Sequence, residues 1–160
     1  LMNLHRDLRE FLQLLNSNHV EYLLVGGYAL AAHGHVRFTK DIDFWVDPSA
    51  SNAEKIISVL RQFGFDDVGS AASTLTSPDG ILTLGRSPAR IDLLTSIPGV
   101  EFEIAWKRRI ETQIDGVDAT VICREDLVKA KLASRRLQDL ADLQELGIPE
   151  SLIPKQKFLE

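Results

Sequence analysis

The sequence predicts an α+β domain: a mixed β-sheet with helices packed on it and a helical segment towards its C-terminal end. Three observations carry this. Glu21 to Val25, Ile81 to Leu84 and Arg90 to Thr95 are short apolar or β-branched runs near turn residues, the mark of strands. Elsewhere leucine, isoleucine and phenylalanine recur at the spacing of amphipathic helices. The chain has 160 residues, 44% hydrophobic and 26% charged, enough for one buried core and far from the composition of a disordered chain or a coiled coil.

Taken in order, Leu4, Leu8, Phe11, Leu12, Leu14 and Leu15 predict a first helix from Asn3 to about Asn16. Glu21 to Val25 follows as a buried strand, and Gly26-Gly27 turns it into a short apolar helix, Tyr28 to Ala32, which Gly34 ends. A second strand bears Asp41 and Asp43, and Asp47-Pro48-Ser49 reads as a turn or capping sequence. Ser51 or Asn52 caps a helix from Ala53 to Phe63, with Gly64 as its stop. From Phe65 to Asp79 small residues predict a surface connection with a short strand near Ser73 to Thr76. Ile81 to Leu84 and Arg90 to Thr95 flank a turn at Gly85 to Ala89, and a short helix or turn covers Phe102 to Ile110. Thr112 to Ile114 and Ala119 to Ile122 pair through Asp115-Gly116, a strong hairpin signal. Two helices, Glu125 to Leu132 and Leu137 to Leu146, stop at Gly147 and Pro149. Residues 1–123 thus form a core with its N-terminal helix, 124–147 a helical segment of the same domain, and 148–160 a tail.

A net charge of −5 argues against a surface made mainly for duplex nucleic acid. The lone Cys123 offers neither an internal disulfide nor a zinc cluster, so a reduced, cytoplasmic setting is expected. No apolar run approaches the length of a membrane span and no secretory pattern is read, so no membrane association is expected.

The chemistry concentrates between Glu21 and Asp47. Side chains alternate along a strand, so Asp41 and Asp43 share one face while Ile42, Phe44 and Val46 take the other. Two adjacent carboxylates repel and raise each other's pKa unless a cation lies between them, and a divalent metal is the natural answer. Asp92 is the only acid of its strand, hemmed in by Ile91, Leu93 and Leu94, and needs a partner for its charge.

An apolar strand, Gly26-Gly27, thirteen intervening residues and then Asp41-Ile42-Asp43-Phe44 resemble the signature of the nucleotidyltransferase superfamily related to DNA polymerase β. The tract is also similar to its small bacterial branch, grouped with abortive-infection and toxin–antitoxin nucleotidyltransferases. The resemblance implies a palm-like sheet on which Asp41, Asp43 and a later-strand carboxylate, Asp92, act as catalytic residues by holding Mg²⁺ or Mn²⁺. It implies transfer of a nucleoside monophosphate from a nucleoside triphosphate to a hydroxyl on a protein, an RNA end or a small molecule, with release of pyrophosphate. Nucleotide contact is expected from Gly26, Gly27, Arg37, Thr39 and Lys40. Similar sequences carry a lysine, a basic residue and acids in the order of Lys131, Arg136, Asp139 and Asp142, which adds Lys131 to the nucleotide-binding set.

Each assignment has a plainer alternative. Gly26-Gly27 also suits an ordinary strand-to-helix turn, and Arg37, Thr39 and Lys40 suit a loop whose charge balances the acids. Asp92 suits an ion pair with Arg90, Lys131 a surface charge, and Arg135 with Asp139 a helical i to i+4 pair. Lys107-Arg108-Arg109 reads as a solvated face before a nucleic-acid contact, and His33 and His35 as cap or loop residues before base or ribose contacts. For the whole chain the rival is a non-catalytic nucleotidyltransferase-like module that holds a nucleotide or a small helical partner protein, as in a toxin–antitoxin pair.

Overall fold

The computed structural model describes residues 5–35, 41–85 and 90–153. The first helix, α1 (Arg6–Ser17), buries Leu8, Phe11, Leu12 and Leu15, and the His5 ring caps its start by accepting from the Asp7 amide at 3.2 Å. The chain continues through β1 (Tyr22–Val25), α2 (Gly26–Ala32), β2 (Asp41–Val46) and α3 (Ala50–Phe63). Then come α4 (Ala71–Leu75), β3 (Ile81–Leu84), β4 (Arg90–Leu94) and α5 (Phe102–Lys107). The hairpin β5 (Ile110–Ile114) and β6 (Val117–Val121) leads into α6 (Arg124–Ser134) and α7 (Leu137–Glu145), and one 3-10 turn spans Glu150–Leu152. The result is the α+β architecture expected, with a mixed six-stranded sheet in the order β3-β4-β2-β1-β6-β5. Among the described residues no helix is long and apolar enough to cross a membrane.

The β1–β2, β3–β4 and β5–β6 pairs are antiparallel, whereas β1–β6 and β2–β4 are parallel. Strand alternation and this register give the sheet two unlike faces. Leu24 pairs with Phe44, which pairs with Leu93, and Ile42 pairs with Ile91, so these side chains line one apolar face. Phe11 of α1 covers it, its ring centroid 5.8 Å from that of Phe44 and 5.2 Å from that of Phe63 on α3. Each of these large side chains contributes on the order of 1.5–3 kcal/mol by leaving water. The opposite face is apolar at one end, where Trp45 meets Phe102 of α5 edge-on at 5.1 Å, and carries Asp41, Asp43, Arg90 and Asp92 at the other. α6 closes over this second side. A Cβ on Gly99 would lie 2.7 Å from that of Ala133, so the loop before α5 and α6 pack backbone against side chain.

Three sequence expectations are corrected. The segment near Ser73 to Thr76 is helical, not a strand: Ala71 and Leu75, four residues apart, are the pair it buries. The amides of Thr74 and Thr76 donate to Ser70 O and Ala72 O, helical bonds in place of a strand ladder, and the hydroxyls of Ser73 and Thr76 bond back to the same carbonyls. α3 begins at Ala50, capped by Ser49, whose Oγ accepts from the Asn52 amide at 3.3 Å. Asn52 is no cap. It is 2% exposed, its Oδ1 accepts from Glu21 N at 2.8 Å, and its Nδ2 donates to Glu21 O at 3.1 Å and Asp47 O at 2.9 Å. It ties the entry of β1 to the exit of β2. The hairpin turn is as expected, Asp115 and Gly116 both having positive φ (50° and 76°).

Candidate active site

The parallel pairing of β2 and β4 sets Asp43 beside Asp92 and Asp41 beside Arg90 on the polar end of the sheet. Asp92 is 8% exposed. Thr83 of β3 donates to its Oδ1 at 2.8 Å, and Arg90 reaches the same carboxylate through Nε (3.3 Å) and Nη2 (3.2 Å). Nη1 of Arg90 also stands 3.9 Å from Asp41 Oδ2. The ion pair between Arg90 and Asp92 is therefore present, and the guanidinium bridges two of the three acids. Asp43 is pushed up to about 7, first by burial, then by the charge of Asp92 and a hydrogen bond with it, and by the charge of Asp41, with Arg90 offsetting part.

Gly26 sits at the start of α2 with φ +69°, and a Cβ built there would come within 2.3 Å of Asp43 Oδ2. Both facts demand glycine. The strand-to-helix turn thus presses its backbone against the carboxylates, with Gly27 buried in the first turn of α2. Arg37, Thr39 and Lys40 lie outside the described residues. His33 bonds Ile122 O through Nε2 at 2.8 Å, a structural tie.

The carboxylates open into a cleft of 490 Å³. One wall is apolar, with Ile81, Leu94, Ile97 and Pro98, and the other is helical, with Lys131, Ser134, Arg136 and Asp139. Lys131 is not the surface charge of the plainer expectation: it is 5% exposed and bonded to Asp142 at 2.7 Å and Asp139 at 3.4 Å. Nor does Arg135 serve as the partner of Asp139. Arg135 ends α6 at φ +58°, while Arg136 and Ser134 take the carboxylate. Burial opposes the charge of Asp139, but those hydrogen bonds and the charges of Lys131 and Arg136 prevail and hold its carboxyl below the usual range. Of the basic triplet, Arg108 faces Asp126 at 3.5 Å and Arg109 lies over the Trp106 ring at 4.3 Å, so two of its three charges have partners in the chain. A larger groove of 660 Å³ beside β5 and β6, lined by Glu21, Glu111 and Asp118 among others, shares no lining residue with the cleft.

Thr83, Ser134 and Arg136 belong to the cleft region without having been among the expected site residues. Strand parity gave no hint of Thr83, whose importance comes from the β3–β4 register. Arg136 was visible only as a basic residue in the order of the helical segment.

Among the described residues no three His, Cys, Asp or Glu side chains converge as a ready-made metal cluster. The donor chemistry still fits a hard divalent cation, because Asp43 and Asp92 are adjacent carboxylates whose repulsion a cation would relieve, with Asp41 on the same strand face.

Residues 1–152 match the model of a family described as a nucleotidyltransferase of unknown function (DUF6036). The chain belongs to that nucleotidyltransferase family. In shape this family member is similar to the crystal structure of a Thermotoga maritima protein provisionally assigned as a nucleotidyltransferase, with a TM-score of 0.59 and 16% identity over 88% of this chain and 90% of that one. At such identity the likeness concerns the fold. Among curated proteins no sequence matches the chain.

Proposed function

We propose that this chain is a metal-dependent nucleotidyltransferase that moves a nucleoside monophosphate from a nucleoside triphosphate to a hydroxyl acceptor. The observation that carries this is the side-by-side placement of Asp43 and Asp92 on parallel strands, with Asp41 on the same face and Gly26 against Asp43. The acceptor oxygen attacks the α-phosphorus, the bond to the bridging oxygen breaks, and its electron pair leaves with pyrophosphate. Asp92 takes the hydroxyl proton. Asp41, Asp43 and Asp92 would hold Mg²⁺ or Mn²⁺ in place of the contacts that Asp41 and Asp92 make with Arg90. Bound there, the metal supplies charge neutralisation for the triphosphate and a more acidic acceptor hydroxyl. Gly26 and Gly27 bring backbone amides to the triphosphate, and Arg37 and Lys40, with the Thr39 hydroxyl between them in sequence, precede the metal-bearing strand with added positive charge. Such chemistry needs positioning and electrostatics, not a covalent nucleophile. A reaction that consumes a nucleoside triphosphate with a divalent metal suits a cytoplasmic setting, as does the lone Cys123. The acidic net charge favours a protein or small-molecule acceptor over a long nucleic acid.

The test is transfer of label from each of the four α-labelled nucleoside triphosphates, with Mg²⁺ or Mn²⁺, into protein and RNA fractions of host lysate. Wild type is expected to label one fraction, and Asp43→Asn to lose at least about a thousandfold while remaining folded. Retained activity in Asp43→Asn would refute the mechanism.

A second reading, a binding module of the abortive-infection or toxin–antitoxin branch with a small helical partner, draws support from Arg90. Its guanidinium already neutralises part of the carboxylate charge without a metal. Under that reading nucleotide binds with no dependence on metal and no label is transferred.

A further inference from the structure

The helical wall of the cleft presents two cations that are bound in opposite ways. Lys131 is buried, its Nζ satisfied by Asp142 and Asp139. Arg136 has a side chain 78% exposed and yet firmly tied. Its Nε donates to Asp139 Oδ2 at 2.8 Å and to Ser134 Oγ at 3.1 Å, and Nη2 reaches Asp139 Oδ1 at 3.5 Å. An exposed arginine ordinarily disperses over many rotamers, and association with a ligand must then overcome that freedom. Here a carboxylate only 2% exposed grips one edge of the guanidinium in advance. The backbone contributes as well. Arg135 adopts a left-handed conformation (φ +58°), uncommon for a residue with a side chain, and so breaks α6 and delivers Arg136 to the extended N-cap position of α7.

The charges make the division of labour explicit. Lys131, Asp139 and Asp142 sum to −1, and Arg136 brings the group to zero. Arg136 lines the same cleft as Asp43 and Asp92, and its pKa is raised by the hydrogen bond with Asp139 foremost and, at longer range, by the charge of Asp43. An anionic substrate above a floor of acids needs a fixed cation on the wall, and a planar guanidinium suits phosphate oxygens better than a buried ammonium does. We propose that Arg136, braced by Asp139 and Ser134, is the side chain by which the helical wall grips the triphosphate, while Lys131 holds Asp139 and Asp142 in place behind it. This rests on the nucleotidyl-transfer reading and moves the phosphate contact expected of Lys131 to Arg136.

The test is calorimetric binding of a non-hydrolysable nucleoside triphosphate analogue and of inorganic tripolyphosphate, both with Mg²⁺, to wild type, Arg136→Ala and Arg136→Lys. Arg136→Ala is expected to weaken both ligands by about 10- to 100-fold, the loss of charge-assisted hydrogen bonds. Its Tm should fall only moderately, because Lys131 and Ser134 still hold Asp139, its binding should depend less steeply on salt, and Arg136→Lys should recover part of the affinity. Arg136→Ala binding within twofold of wild type would overturn the assignment and leave the transferase reading intact. A large fall in Tm shared by both variants, with binding lost in proportion, would make Arg136 a structural tie and overturn it equally. Wild type that binds neither ligand would overturn the nucleotidyl-transfer reading, and this assignment with it.

Discussion

The residue on which the site's electrostatics turn is Asp43. Its carboxyl ordinarily titrates at 3.8 and is pushed up to about 7 by burial and by its acidic neighbours. A carboxyl whose pKa is higher in the folded state binds its proton more tightly there, so its contribution to stability is complete at low pH and is lost as pH rises through about 7. Metal-free wild type should therefore weaken between pH 5 and 8 by something on the order of 1–3 kcal/mol, and Asp43→Asn should flatten that slope. Melts in EDTA across this range measure it, and an equally steep slope in Asp43→Asn would contradict the assignment. Gly26 gives a second test. Gly26→Ala forces a methyl group towards Asp43 Oδ2 at a positive φ, so a loss of about 1–3 kcal/mol is expected by denaturant titration, with a fall in transfer beyond what stability explains. How legible were these residues? Strand parity alone put Asp41 and Asp43 on one face and Arg90 with Asp92 on another strand's face. That Arg90 would bridge the two strands depended on register, which no local pattern encodes.

At the scale of elements, the strong signals were those where local chemistry and tertiary packing agree. The apolar spacing of α1, the Gly64 stop of α3 and the Asp115-Gly116 hairpin all had local causes. Where the cause was tertiary the reading slipped. The segment at α4 is too short and too rich in hydroxyls for periodicity to separate helix from strand. Asn52 looked like a cap because asparagine favours caps, but its amide instead spans β1 and β2, and Glu21 lies far from it in sequence. The consequence is measurable. Asn52→Ala should leave Glu21 N and O and Asp47 O without these partners in a buried setting and cost about 2–4 kcal/mol, read as a lowered denaturation midpoint. A change below about 0.5 kcal/mol would mean that water replaces the amide at no cost. Lys131 illustrates the same limit: helical spacing could place it on α6 but could not show that Asp139 and Asp142 of α7 would enclose it.

At the scale of the molecule, the candidate site belongs to no single element. β1 leads into Gly26 at the start of α2, β2 contributes Asp41 and Asp43, β4 contributes Asp92 by parallel pairing, and the α6–α7 junction closes the cleft. Ligands that engage this assembly should stabilise all of it, because binding to the folded state alone adds RT ln(1 + [L]/Kd) to unfolding. At a hundredfold excess over Kd that is about 2.7 kcal/mol, or about 5–10 °C in Tm for a chain of this size. Mg²⁺ or Mn²⁺ with a nucleoside triphosphate should produce such a rise in wild type, and neither component alone should match it. Asp41→Asn retains the strand and the neutral shape of the side chain but removes a charge from the metal-bearing face, so most of the rise should vanish. An equal rise in Asp41→Asn would remove Asp41 from the metal set while leaving Asp43 and Asp92. A rise with nucleotide alone, unchanged by EDTA, would favour the binding module over the enzyme, because the transfer chemistry relies on a metal to neutralise the triphosphate.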